Sequence, residues 1–241
     1  MTKCNYHSIQ TMGALDGPGL RYVLFLQGCP FRCLFCHNPD TWSGSANSMS
    51  VDEVFSDILK YKSFYENSNG GVTISGGEPL LQIPFLLELF KKLKTNNIHT
   101  AIDTCGYVDI TEDLKELLNY TDLFLLDIKH LDKQKHKDLT GCPNDKVLNF
   151  LKFLNDNNKS IWIRQVLVPD ISMDDDYIES LINFLKNFKI EKVELLPYHE
   201  MGKEKYKKLG LEYKLNSRVP TKDEVKKIKE KFVENGFDTI L

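Results

Sequence analysis

Short apolar runs alternate along the chain with longer stretches in which apolar positions recur every three or four residues. The runs lie at residues 20–27, 71–75, 98–103, 123–128, 160–168 and 192–197. They are rich in Val, Ile, Leu and Phe and do not alternate with polar residues, which is the pattern of strands covered on both faces. The helical stretches lie at residues 50–65, 82–97, 111–119, 146–157, 174–187 and 221–235. Ser50 with Glu53, and Thr221 with Glu224, have the spacing of capping boxes at two of the helix starts. Strand and helix taking turns in this way predict an α/β fold with a parallel sheet and right-handed crossovers. Six strands are too few for a full closed barrel, so an open or partial parallel barrel is expected, with a doubly wound sheet as the alternative. No repeat, low-complexity tract or linker interrupts the pattern, so residues 1–241 read as one domain. In such a sheet the chemistry belongs at the C-terminal ends of the strands.

Composition narrows the function. A chain of 241 residues with 41% hydrophobic residues can bury a sizeable core, and a net charge of −3 leaves no basic footprint for nucleic acid. The lysines at 203–208 and 222–231 are interleaved with glutamates and read as solvated faces. No apolar run approaches the roughly 18 residues of a membrane span, and no targeting pattern opens the chain, so the expectation is a cytoplasmic protein without a membrane partner. Six cysteines in this setting point to metal binding or catalysis rather than to disulfides.

Three of them follow the first predicted strand as Cys29, Cys33 and Cys36, spaced C-x3-C-x2-C within eight residues. Three thiolates can hold an iron–sulfur cluster and leave one iron open to a ligand. A zinc site with His37 as fourth ligand, or a set of buried thiols, stays open on spacing alone. The other strand ends are equally unusual. Ser75-Gly76-Gly77-Glu78-Pro79 reads as a turn where glycine lets the backbone approach a ligand and Glu78 takes an ammonium. Asp103-Thr104 and Asp127-Ile128-Lys129 close two strands with carboxylates, which are costly to bury unless paired or bound. Arg164 lies on the fifth strand, and Tyr198-His199 follows the sixth. Each of these alone also reads as a common turn, an ion pair or a structural residue.

Together they carry a family resemblance. The cysteine loop, with Phe35 before Cys36, resembles the signature of the radical-SAM superfamily. Asp16-Gly17-Pro18-Gly19-Leu20-Arg21 resembles the opening of the enzymes that activate glycyl-radical enzymes. Cys36-His37-Asn38-Pro39-Asp40-Thr41-Trp42 and Leu195–Glu200 resemble the branch that acts on pyruvate formate-lyase. The fold implied is a partial, open parallel (β/α)6 barrel of radical-SAM type. The cofactors implied are a [4Fe–4S] cluster on Cys29, Cys33 and Cys36, and S-adenosyl-L-methionine. Phe35, Cys36, His37, Asn38, Gly76, Gly77, Glu78, Asp127, Lys129, Arg164 and His199 would bind the latter. A monovalent cation on Asp103, Thr104 and Asp127 is implied as well. Asp16 and Arg21 would touch a partner protein, a glycyl-radical enzyme and first of all pyruvate formate-lyase. A flavodoxin or ferredoxin would supply the electron. Residues 38–50 contain no cysteine, unlike relatives that carry additional clusters there. Activation of a different glycyl-radical enzyme, a radical-SAM reaction on a small molecule, and a zinc-stabilised binding module are the rival readings.

Overall fold

The computed structural model of the chain describes residues 2–44 and 47–241. It divides into two compact units, Met1–Pro30 with Asp40–Leu125, and Phe31–Pro39 with Leu126–Leu241.

The first unit opens on β1 (Lys3–Gly13), β2 (Arg21–Leu26) and β3 (Asn47–Ser50), followed by α1 (Val51–Leu59) and α2 (Lys62–Asn67). Then come β4 (Gly71–Gly76), α3 (Ile83–Thr95), β5 (His99–Thr104), α4 (Glu112–Leu118) and the start of β6 (Leu123–Asp127). Strand β1 is antiparallel to both β2 and β3. Strands β2, β4 and β5 run parallel, with Leu24 opposite Ile74 and Ile74 opposite Ile102. The parallel strands are apolar on both faces because helices cover them. Helix α3 buries Phe85, Leu86, Leu89, Phe90 and Leu93. Each such side chain contributes about 1.5–3 kcal/mol, and truncating Phe90 to alanine would cost about 3–5 kcal/mol.

Ser50 and Glu53 form the expected capping box. The helix predicted over 50–65 is broken, however. The backbone of Tyr61 leaves the helical region, and a second helix restarts at Lys62. The restart lets the buried Tyr65 donate its hydroxyl to the Thr11 carbonyl at 3.0 Å. Strand β1 has no predicted counterpart, because it mixes polar and apolar residues and is mostly half-buried.

The second unit completes β6, whose neighbour Ile128 donates its N–H to the Arg164 carbonyl at 3.0 Å. It continues through α5 (Lys133–Thr140), α6 (Asp145–Asp156), β7 (Ser160–Leu167), α7 (Asp175–Leu185) and β8 (Lys192–Pro197). It closes with α8 (Lys203–Lys208), α9 (Lys222–Glu234) and β9 (Thr239–Ile240). Strands β7, β8 and β9 are parallel. Asp132 caps α5 at its start, and Gly141, at φ 86°, ends it. Thr221 and Glu224 form the second expected capping box. The fold class is the expected one, α/β with a mostly parallel, open sheet. Among the described residues no helix is long and apolar enough to cross a membrane.

Candidate active site

In the first unit the signature turn is built from backbone. Beyond β2, Gly28 donates its N–H to the Thr41 carbonyl at 2.8 Å, and Cys29 donates to Trp42 at 3.3 Å. At the end of β4, Gly77 donates to the Leu26 carbonyl at 3.0 Å and Glu78 to Gly28 at 2.8 Å. The two strand ends therefore lie against each other. A Cβ on Gly77 would stand 2.1 Å from the Gly28 carbonyl oxygen, and one on Gly76 would stand 2.3 Å from the Leu26 nitrogen. Gly76 also sits at φ 115°, where a side chain is strained. At these glycines the backbone closely approaches the neighbouring strand end that leads into Cys29.

Glu78 is tied into the neighbouring strand as well. Its side chain has no exposure and accepts from three donors: the Thr104 hydroxyl at 2.7 Å, the Cys105 N–H at 2.8 Å and the Leu80 N–H at 2.9 Å. Burial pushes its pKa up, opposed by the hydrogen bonds from Cys105, Thr104 and Leu80. Enclosed like this, its side chain ties β4 to β5. Cys105 is packed, with burial first and the Glu78 charge next raising its thiol pKa.

Arg21 has no exposed surface. Its guanidinium donates to the Thr73 hydroxyl, to Val72 O at 2.7 Å and to Pro18 O at 3.0 Å, and it lies 3.2 Å from His99 Nδ1. Desolvation lowers its pKa to about 10. Thr73 in turn donates to the Asp16 carbonyl at 2.6 Å. The Asp16–Gly19 loop is therefore strapped to β4, while Asp16 itself stays half-buried.

In the second unit the cysteine loop rides on the last turn of α5. Arg32 donates its N–H to Thr140 O at 2.7 Å, and Leu34 donates to Leu139 O at 2.9 Å. Cys36 closes a tight turn onto the Cys33 carbonyl at 3.0 Å. Phe31 packs edge-on against His136, and Phe35 packs against the cluster of Val168, Tyr198 and Leu215. The Lys129 ammonium lies 5.5 Å from the Phe35 ring centre and 2.8 Å from Asp127. This pair is mostly buried, not a surface contact. Arg164 Nε donates to Glu194 at 2.6 Å, again largely out of water. His37 and His199 meet edge to face at 4.6 Å between ring centres. Asn38 accepts from Lys205 at 2.6 Å.

The residues expected to hold a monovalent cation already have protein partners. Asp103 accepts from Ser75 at 2.7 Å, and the Thr104 oxygen joins Glu78 and the Gly106 N–H. These two belong to the first unit, whereas Asp127, with Lys129, belongs to the second. Glu194, Tyr206 and the carbonyls of Thr41 and Thr140 escaped the sequence reading. Only Glu194 left a signal there, a lone carboxylate inside an apolar strand. The donor set fits an iron–sulfur cluster. The six cysteines are in no disulfide, and two of the three in the loop share one tight turn.

Residues 23–185 match the family model described as the radical SAM superfamily. The chain is 50% identical to a pyruvate formate-lyase-activating enzyme from Staphylococcus epidermidis, over 97% of this chain and 96% of that protein. A Staphylococcus aureus protein of the same name is 48% identical over the same shares. Among solved structures, a domain of pyruvate-formate lyase-activating enzyme from Bacteroides vulgatus is 25% identical with a TM-score of 0.60, covering 71% of this chain and 98% of that one. Streptococcus suis SuiB bound to its precursor peptide SuiA is 20% identical with a TM-score of 0.71, covering 94% of this chain and 50% of that one, and shares the fold. The chain belongs to the radical SAM superfamily and, within it, to the family of pyruvate formate-lyase-activating enzymes.

Proposed function

We propose that this chain activates pyruvate formate-lyase in the cytoplasm by removing a hydrogen atom from a glycine of that enzyme. The observation that carries the reading is the C-x3-C-x2-C loop of Cys29, Cys33 and Cys36 in a chain of this family. Cys29, Cys33 and Cys36 would hold a [4Fe–4S] cluster, which would supply the electron that cleaves S-adenosyl-L-methionine into methionine and a 5′-deoxyadenosyl radical. That radical takes the glycine hydrogen, and the products are 5′-deoxyadenosine and a glycyl radical. One electron enters per glycine activated, and a flavodoxin or ferredoxin supplies it. The reading treats residues 1–241 as one catalytic domain.

The chain's own residues bind and orient. Lys129 and Arg164 are the cations for the methionine carboxylate, each pre-set by its own carboxylate partner, Asp127 and Glu194. His37, Asn38 and His199 meet the adenosyl group. Gly76, Gly77 and Glu78 fix the strand ends around it from within. Asp16, on its strapped loop, holds the partner's backbone. A monovalent cation at Asp127 has to share that carboxylate with Lys129. The test is anaerobic. Protein reduced with dithionite, given S-adenosylmethionine and pyruvate formate-lyase from the same organism, yields a glycyl-radical doublet in EPR. Cys33→Ala yields none and loses iron. Cofactor cleavage without a radical on that partner would reject the target.

A further inference from the structure

The segment that follows β8 lies directly on the cysteine loop. A Cβ on Gly202 would stand 3.0 Å from the Cys36 carbonyl oxygen and 3.2 Å from the His37 Cα. Tyr206 donates its hydroxyl to the Cys33 carbonyl at 3.4 Å, and Lys205 reaches Asn38. Tyr213 packs edge-on to Tyr206 at 4.9 Å and shares a 2.8 Å hydroxyl hydrogen bond with Tyr198. The inner side of the segment is thereby fixed to the loop.

The outer side faces solvent and has an unusual make-up. Met201, Leu209 and Leu211 are exposed by 66%, 47% and 42%. Lys207, Lys208 and Lys214 stand exposed among them. From Glu200 to Arg218 six basic residues face three acidic ones, in a chain whose net charge is −3. Single exposed apolar residues are ordinary. Several of them among a surplus of positive charge, with the exposed Glu200, Glu204 and Glu212 in the minority, have the composition of a small, transient protein interface. Helix α8 buries little of its own, since Tyr206 is its buried residue, so the lysines do not serve a core.

We infer that this face, built from Met201, Leu209, Leu211, Lys207, Lys208 and Lys214, receives the acidic one-electron carrier protein that reduces the cluster. The inference rests on the proposed function. Electron transfer falls off steeply with distance, so a carrier must dock close to the ligating loop, and Gly202 and Tyr206 of this segment lie against the backbone of Cys36, His37 and Cys33. The lysines steer an acidic carrier in, and the apolar side chains hold it briefly. The carrier gives up one electron, the cluster receives it, and no bond is made or broken.

The test uses the reconstituted holoenzyme and oxidised flavodoxin, with an acidic ferredoxin as second probe. Binding is followed by calorimetry at low and high salt. Wild-type affinity is expected to fall as salt rises. The variant Lys207→Glu, Lys208→Glu, Lys214→Glu is expected to bind ~10-fold or more weakly at low salt. Its cluster should still be reduced by dithionite to the wild-type EPR intensity, which shows the fold and the loop intact. Unchanged affinity in the triple variant overturns the inference, as does a wild type that binds neither probe. A variant that keeps the carrier but loses pyruvate formate-lyase also overturns it, because the face then belongs to the glycyl-radical enzyme. The proposed function fails separately, when dithionite-reduced wild type leaves pyruvate formate-lyase without a radical.

Discussion

The two units use their motif residues in contrasting ways. In the first, Gly76, Gly77 and Glu78 are turned inward. Two glycines let strand ends touch, and a buried carboxylate ties β4 to β5. In the second, Lys129, Arg164, His37 and His199 are side chains held in pairs by charge or by ring packing. The first unit contributes shape through its backbone, and the second contributes groups that bear charge and hydrogen bonds. A motif that looks like ligand contact can thus also serve the frame.

The sharpest way to break this contrast is Gly77→Ala. Its methyl group has no room beside the Gly28 carbonyl, and the cost should be on the order of 4 kcal/mol. Thermal unfolding of the apo protein measures it. Normal melting with loss of S-adenosylmethionine binding alone would mean that the glycine faces the ligand. Next in size is Glu194→Ala, which strands the buried Arg164 guanidinium. The loss should be about 3 kcal/mol, with weaker cofactor binding. Glu194→Gln should restore more binding than stability, since it keeps an acceptor but not the charge. An equal recovery of both would remove the positioning role.

The strand pattern was largely legible. All six predicted runs became strands, from β2 to β8, because their apolar residues are buried on both faces. Helices α5 and α8 were not legible. The segment of α5 buries just His136, Leu139 and Thr140, and that of α8 just Tyr206, so neither writes an apolar period. The site was legible as residue types at strand ends. Which neighbour each would hold was not, since Glu78–Thr104 and Arg164–Glu194 join residues 26 and 30 apart. Local spacing carries no record of such pairs. Nor does it show whether a charged residue such as Arg21 faces out or in.

The smallest expected effect is the response to acid, where buried groups in the two units oppose each other. Burial lowers the pKa of His130 and His136 in the second unit, beside the charges of Lys135 and Lys129 respectively. Their folded forms prefer to stay neutral. The stability they contribute is present above the ordinary imidazole value of 6.5 and is lost as pH falls through the lowered folded values. Glu78 in the first unit has a raised pKa, so its contribution is full below the ordinary carboxyl value of 4.5 and fades as pH rises through the folded one. Replacing both histidines with glutamine should flatten the loss of thermal stability just below pH 6.5. An unchanged slope would show that the imidazoles do not resist protonation.

The buried guanidinium of Arg21 also has a consequence in time. Its partners lie 51, 52 and 78 residues downstream, on Val72, Thr73 and His99. Until those stretches arrive, its charge can leave water only at a penalty. A premature collapse around the first parallel strand is therefore discouraged. The loop from Asp16 to Gly19 takes its final shape only when the later strands are in register, which makes its closure a late event in the assembly of the first unit.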